Sequence, residues 1–183
     1  MLKISGGRYK GRNIYTSSGP GYRPATSRVR ESLFSTLFSL GFFQGRERVL
    51  DVFAGSGSLG FEALSRGAKQ VCFLEKDQKA CRCIWRTAKE LGVEQKIELY
   101  QQDVFKALAA WRGPSSFELI FVDPPYGLNY LSKTLDLILK RNLLAEHGIL
   151  IAEVEKKVKI AECNLTLLKD KLFGQTRILL WKK

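Results

Sequence analysis

Five apolar runs, VLDVFA, VCFLE, IELY, LIFVD and ILIAEV, follow one another after residue 48, separated by helix-sized segments at about 58–66, 78–91, 104–111 and 130–143. None of the runs alternates strictly between apolar and polar residues, so each suits a strand buried on both faces. Helices between such strands suit right-handed βαβ crossovers. The pattern predicts an α/β chain built on a doubly wound, mostly parallel sheet. The tail departs from it: CNLTLLKD and TRILLWKK are separated only by KLFGQ, too short for a helix, and are expected to pair antiparallel at one edge.

Upstream of the runs, Gly6, Gly7 and Gly11 break short strand-like pieces, and the turn-rich SSGPGYRP follows. Residues 1–25 therefore read as a hairpin arm and loop. A helix is expected from Thr26 or Ser27, either a suitable N-cap, to about Leu40, with Val29, Leu33, Leu37 and Leu40 as its apolar stripe and Gly41 as its stop. Arg28 and Arg30 fall off that stripe and are expected to face outward.

A length of 183 residues suits one domain, and 45% hydrophobic with 26% charged residues excludes collagen-like, low-complexity and wholly disordered classes. The net charge of +12 points to a polyanionic partner, nucleic acid before membrane. It is unevenly placed: residues 1–48 carry nine basic side chains against Glu31 and Glu47. No run approaches the roughly 18–20 apolar residues that span a bilayer, and the start lacks a secretory apolar region, so a cytoplasmic address is expected. Cys72, Cys81, Cys83 and Cys163 form no CxxC pair and read as reduced filler, with no metal site expected. His147 in EHGIL reads as a solvated loop residue.

The first strand runs into Asp51-Val52-Phe53-Ala54-Gly55-Ser56-Gly57-Ser58-Leu59-Gly60, which satisfies GxGxxG between a strand and a helix, with Glu75 at the end of the next strand. Two cofactors fit. A dinucleotide would set its pyrophosphate on the helix N-terminus. S-adenosylmethionine carries a zwitterionic tail and a sulfonium instead, for which the Asp51 carboxylate is useful. In both readings Glu75 accepts ribose hydroxyls. Asp103, closing YQQD, suits either an adenine amine or the N-cap of the next helix.

Asp123-Pro124-Pro125-Tyr126 directly follows LIFV. The prolines end the strand, lack amide hydrogens and hold Asp123 and nearby carbonyls as acceptors at the sheet edge. An exocyclic amine on a base is a poor nucleophile because its lone pair is delocalised into the ring. Acceptors that draw its hydrogens out of plane localise that pair toward a donor methyl. Tyr126 offers a flat face for a base taken out of its stack.

With ISGGRYKGR, RPATSRVRESLFSTL, DVFAGSGSLGFEALSRGA, FLEKD, FELIFVDPPYG and FGQTRILLWKK, the chain resembles, over nearly its whole length, the RsmD family, bacterial methyltransferases that modify the N2 amine of one guanine in 16S ribosomal RNA. Ala25-Thr26-Ser27 stands where a TTD-like stretch is commoner. The resemblance implies a Rossmann-like class I methyltransferase fold with a seven-stranded sheet, an antiparallel C-terminal strand and an N-terminal β-hairpin arm. The methyltransferase domain would occupy residues 26–183. It further implies S-adenosyl-L-methionine held by Asp51, Phe53, Gly55, Gly57, Glu75 and Asp103, and a target guanine held at Asp123, Pro124 and Tyr126. The expected RNA contacts are Arg8, Lys10, Arg12, Arg23, Arg28 and Arg30, beside the pocket. A monomer acting on 16S rRNA within a partly assembled small subunit completes the expectation. Adenine-N6 methylation of DNA, a nicotinamide-dependent oxidoreductase and a non-catalytic RNA-binding module are the alternatives.

Overall fold

The computed structural model describes residues 2–17, 27–160 and 163–183. Arg23 lies outside the described residues, as does the side chain of Arg28. A two-residue pair, β1 (Leu2–Lys3) and β2 (Asn13–Ile14), precedes helix α1 (Ser27–Ser39). Then come β3 (Arg48–Val52), α2 (Ser58–Arg66), β4 (Gln70–Glu75), α3 (Gln78–Leu91), β5 (Ile97–Gln101), α4 (Val104–Ala109), β6 (Phe117–Val122), α5 (Tyr130–Lys140), β7 (Leu144–Glu155), β8 (Thr166–Phe173) and β9 (Thr176–Lys182). Among the described residues no helix is long and apolar enough to cross a membrane.

The large sheet has seven strands in the order β5-β4-β3-β6-β7-β9-β8. Strands β3 to β7 are mutually parallel, β9 runs antiparallel to β7, and β8 pairs antiparallel with β9. The C-terminal pair thus closes the edge, with its later strand on the inside. Strand β7 begins earlier than ILIAEV: Leu144 pairs with Phe117, and an irregularity that includes His147 at φ 62° precedes the regular ladder from Ile149. His147 is exposed there, as a residue outside the regular ladder can be.

The strands are apolar throughout because both faces are covered. On one face Val49, Phe73, Phe121 and Ile151 pack against Phe34 and Leu37 of α1, Phe61 of α2 and Ile84 of α3. On the other, Leu50, Leu74, Ile120 and Leu150 pack against Leu108 of α4 and Leu135 and Ile138 of α5. The hairpin belongs to the first layer: Ile4 and Ile14 are 1% and 0% exposed within it.

Two expectations for α1 need correction. Leu40 lies beyond the helix and is 45% exposed, because the chain turns away at Gly41 with φ 82°. Arg30 does not face outward; its side chain is 2% exposed. Arg30, Phe34 and Leu37 recur at four- and three-residue spacing, so Arg30 rides on the apolar stripe, one turn above Phe34. Burial is tolerated because the charge is met: Nη2 donates to the Lys3 carbonyl at 3.0 Å, and Nε lies 3.6 Å from Glu62 Oε1. Glu62, fully buried on α2, also pairs with Arg66 at 3.5 Å and accepts the Ser5 amide.

Removing one member of a buried pair strands the other charge, at a cost of about 3–5 kcal/mol, whereas exposed pairs contribute about 0–1 kcal/mol. Glu62→Ala is therefore expected to destabilise the chain severely in denaturant titrations. Glu146→Ala, which removes the exposed partner of Lys183, is expected to leave the midpoint nearly unchanged.

Candidate active site

The strand order reverses between β3 and β6, and a cavity of about 480 Å³ opens at their carboxyl ends. Open α/β sheets bind ligands at such switch points. The walls come from the turn after β3, the end of β4, the start of α4, the Asp123–Tyr126 corner, Tyr130 of α5 and Glu153 of β7.

The turn after β3 starts with Phe53 at φ 62°, an unusual conformation for an aromatic residue. It is held by backbone bonds from Ala54 to Leu74 (2.9 Å) and from Gly57 to Ala54 (2.7 Å). The Gly55 amide donates to Glu75 Oε2 at 2.7 Å. The three glycines divide into two kinds. Gly55 lines the cavity, while Gly57 and Gly60 face the sheet: a Cβ at Gly60 would come within 2.3 Å of the Phe73 ring, and one at Gly57 within 3.0 Å of the Phe61 and Phe73 rings. Their spacing serves close packing of α2 on β4 as much as any approach to a ligand.

Asp51, placed at the ligand by the sequence reading, has its carboxylate beneath the loop. It is 2% exposed, and its Oδ2 accepts the Gly60 amide at 3.0 Å, which fastens α2 to β3. Burial, reinforced by the Glu75 charge and opposed by the Gly60 amide, pushes its pKa to about 8.

Glu75 does reach the cavity. Its Oε1 accepts the Asp77 amide at 2.8 Å. Each carboxylate oxygen therefore has one backbone donor and a second lone pair left for a ligand hydroxyl. Asp103 caps α4 through Oδ1, which accepts from Phe105 and Lys106 at 3.1 Å each, and still lines the cavity. Phe53 stacks on Tyr130 with centroids 6.0 Å apart, and Phe105 meets Tyr130 edge-on at 4.8 Å. These three rings, packed on one another, form an apolar wall of the cavity beside the two carboxylates.

Asp123 follows β6, its amide bonded to the Val52 carbonyl at 3.3 Å. The register pairing Val122 with Ala152 makes Glu153 its neighbour on β7. Burial and the nearby charges of Glu153 and Asp51 hold the Asp123 pKa well above the usual carboxyl range. Glu153, 7% exposed, is raised to about 7 by burial, against the lowering influence of Arg30. Tyr126 is 45% exposed, and its hydroxyl is bonded to Thr176 Oγ1 at 2.9 Å. Behind the corner lies a second cavity of about 270 Å³, which shares Pro124, Pro125, Tyr126 and Tyr130 with the first and adds Glu155 and Lys157. Glu155 accepts the Gly127 amide and so ties the corner to β7.

Sequence reasoning missed Glu153, Phe105 and Tyr130. A lone acid near the end of the apolar run ILIAEV was a readable sign of the first. The two rings carry no such sign, since their meeting depends on how α4 packs on α5.

The RNA-binding expectation fares unevenly. Arg8, Lys10 and Arg12 are exposed, but the hairpin lies against the far ends of two helices: the Arg8 amide bonds to the Ser65 carbonyl, and Arg12 Nη2 to that of Glu90 at 2.7 Å. Both helices start at the cavity and run away from it, roughly 13 Å for α2 and 21 Å for α3 at about 1.5 Å per residue. These residues are therefore not beside the pocket, and Arg30 is buried.

The chain is similar to known proteins in sequence and in fold. YlbH from Bacillus subtilis is 35% identical over 185 residues, covering 100% of this chain and 99% of the relative. Ribosomal RNA small subunit methyltransferase D from Haemophilus influenzae is 35% identical over 175 residues, covering 94% of this chain and 89% of the relative. The solved structure of yhhF from Escherichia coli superposes with a TM-score of 0.86 at 30% identity, covering 100% of this chain and 97% of that one. The model of the family described as Conserved hypothetical protein 95 matches residues 2–182, and the chain belongs to that family.

Proposed function

We propose that the chain is an S-adenosylmethionine-dependent ribosomal RNA methyltransferase that methylates the exocyclic N2 of a guanine in small-subunit rRNA. The observation that carries the reading is the lining of the cavity: four carboxyl groups, those of Glu75, Asp103, Asp123 and Glu153, against Lys76 alone among the described basic residues. Such a wall offers a dinucleotide's pyrophosphate no cationic partner but Lys76, whereas a ligand with a positive centre draws the raised carboxyls toward their ionised form. The residues fit that ligand: Glu75 for ribose hydroxyls, the apolar wall of Phe53, Phe105 and Tyr130 for adenine, and Asp103 for its amine. Asp51 and Gly57 serve it indirectly, by shaping the loop that carries Gly55. The small-subunit RNA methyltransferase among the relatives supports the substrate class.

When bound, the cofactor supplies an electrophilic methyl on a sulfonium. The second cavity receives the base, with Tyr126 along one face, and the amine points toward Asp123. Asp123 and the carbonyls of the proline corner accept the amine hydrogens and turn its lone pair toward the methyl. On receiving that methyl the amine would carry an extra proton, which would pass to the Asp123–Glu153 pair and then to solvent. Glu153 acts through Asp123 as a positioning residue that spreads the received proton over two carboxylates. The substrate form is a partly assembled small subunit, on which the enzyme acts as a monomer in the cytoplasm.

Calorimetry is expected to show S-adenosylhomocysteine binding and no NAD binding; the reverse would remove this reading. Loss of one positioned group at a reacting centre costs about 10²–10³ in rate. Asp123→Ala is thus expected to lose at least that much methyl transfer while S-adenosylhomocysteine affinity stays within a few-fold. Mass mapping of rRNA from cells lacking the gene, rescued by wild type but not by Asp123→Ala, tests the site in the cell.

The carboxylates also fix a pH response. Asp51 and Glu153 titrate at 3.8 and 4.5 ordinarily, and at about 8 and about 7 when folded. Between those limits the folded chain binds more protons than the unfolded one, so stability is lost as pH rises through the folded values. Without ligand, Tm is expected to fall between about pH 5.5 and 8.5, by roughly 2–4 °C per kcal/mol lost. Glu153→Gln should flatten the decline; a profile identical to wild type would show that the carboxyl is not raised.

A further inference from the structure

Helix α3 is divided sharply between two faces. Ala80, Cys81, Ile84, Thr87, Ala88 and Leu91 are buried against the sheet and hairpin. Lys79, Arg82, Arg86 and Lys89 are all exposed. At about 100° per residue these four bases fall within an arc of roughly 80°, one above another along the helix. Trp85 flanks them and is 47% exposed, whereas Trp181 is 1% exposed in the core. The only acid on this side of the helix itself is Glu90, already bonded to the Tyr15 hydroxyl.

This face is continuous with features at both ends. Lys76, just before the helix, lines the large cavity. Asp77 between them is engaged as the N-cap, accepting the Ala80 amide. At the far end Arg12 is bonded to the Glu90 carbonyl, which brings the exposed Lys10 and Arg12 up to the last turn. Arg86 is held in place over the Tyr15 ring, its guanidinium carbon 3.8 Å from the centroid.

We infer that the outer face of α3, from Lys76 through Lys79, Arg82, Arg86 and Lys89 to Arg12, is a docking track for the phosphate backbone of the substrate RNA, with Trp85 as a stacking platform for an unpaired base. The inference rests on the RNA-modifying function proposed above and deepens it. Charge complementarity commits the face to RNA: a row of fixed cations repels a basic partner, and a protein interface would not gain from four neighbouring bases without acids of its own. An exposed indole beside such a row is what sequence-tolerant stacking requires. The track also gives the distant hairpin a purpose. Its bases extend the far end of a path that begins at the cavity, so a strand whose base occupies the pocket can follow the helix to the hairpin.

The test compares two charge-reversed proteins with wild type. Arg82→Glu with Lys89→Glu alters the track; Lys140→Glu with Arg141→Glu alters exposed residues at the end of α5, which packs on the opposite face of the sheet. Binding of an unmodified small-subunit rRNA transcript is measured across a salt series, together with S-adenosylhomocysteine affinity and methyl transfer. The track variant is expected to lose at least about 10-fold in RNA affinity and about 1.4–1.8 in the magnitude of the log–log salt slope, two contacts' worth. The α5 variant should stay within about twofold, and both should keep wild-type cofactor affinity. Trp85→Ala should weaken binding by roughly 5-fold or more with the salt slope unchanged. Equal losses in the two double variants would overturn the track, as would a wild-type slope in the first. A track variant that loses assembled subunits but retains naked transcript would also overturn it, by assigning the face to a ribosomal protein. Wild type that neither binds nor methylates the transcript or partly assembled subunits would overturn the proposed function itself, whereas full methylation by both variants would overturn the track alone.

Discussion

The reversal of strand order beside β3 is the constraint from which the site follows. Hydrogen-bonded to β4 on one side and β6 on the other, β3 is followed by a turn that must lead toward β4. The turn after β6 leads the other way, toward β7. Two turns that leave adjacent strands in opposite directions cannot pack on each other, and the gap between them is the cavity. The ladder also aligns what faces it. Because Val52 pairs with Val122, and Val122 with Ala152, Phe53, Asp123 and Glu153 stand in one row at the strand ends.

Filling that row with carboxylates works against the fold. Burial raises the proton affinity of Asp51, Asp123 and Glu153, and the charges of Glu153 and Asp51 raise that of Asp123 further, so without ligand the site holds protons that the unfolded chain would release. The surrounding structure bears this cost with a stiff frame. Gly57 and Gly60 let α2 sit hard against Phe73, the Gly60 amide ties Asp51, and Glu75 clamps Gly55. A positively charged ligand relieves part of the repulsion, so binding and stability are coupled at the same atoms.

Much of this was legible in the chain. The five apolar runs define a parallel sheet because a strand covered on both faces has no polar positions to spare. The tail pair is legible because KLFGQ is too short to hold a crossover. The DPPY corner is legible because two prolines leave the backbone few choices. The hairpin's position was not, since nothing local says that Ile4 and Ile14 join the core beside α3. The α3 track was hidden for a related reason: bases at 79, 82, 86 and 89 look like any solvated helix face until Trp85 is found uncovered and Lys76 and Arg12 are found at either end. Asp103 shows how a residue can satisfy two readings, with one oxygen capping a helix while the side chain stays at the cavity wall.

Arg30 is the most instructive misreading. Taken as a surface cation, it would add to the RNA-facing charge of the N-terminal segment. Buried, it joins three pieces of the fold, accepted by the Lys3 carbonyl from the hairpin, set against Glu62 of α2, and lowering the proton affinity of Glu153 at the end of β7. A charge in the interior persists only where such partners converge, so the hairpin cannot leave the core without taking the Lys3 acceptor from a buried guanidinium. The N-terminal segment therefore reaches the cavity wall from inside, since Arg30 lowers the Glu153 pKa against the larger effect of burial. In the proposed RNA complex the phosphate contacts fall to the cations that remain outside, on the hairpin turn and along α3.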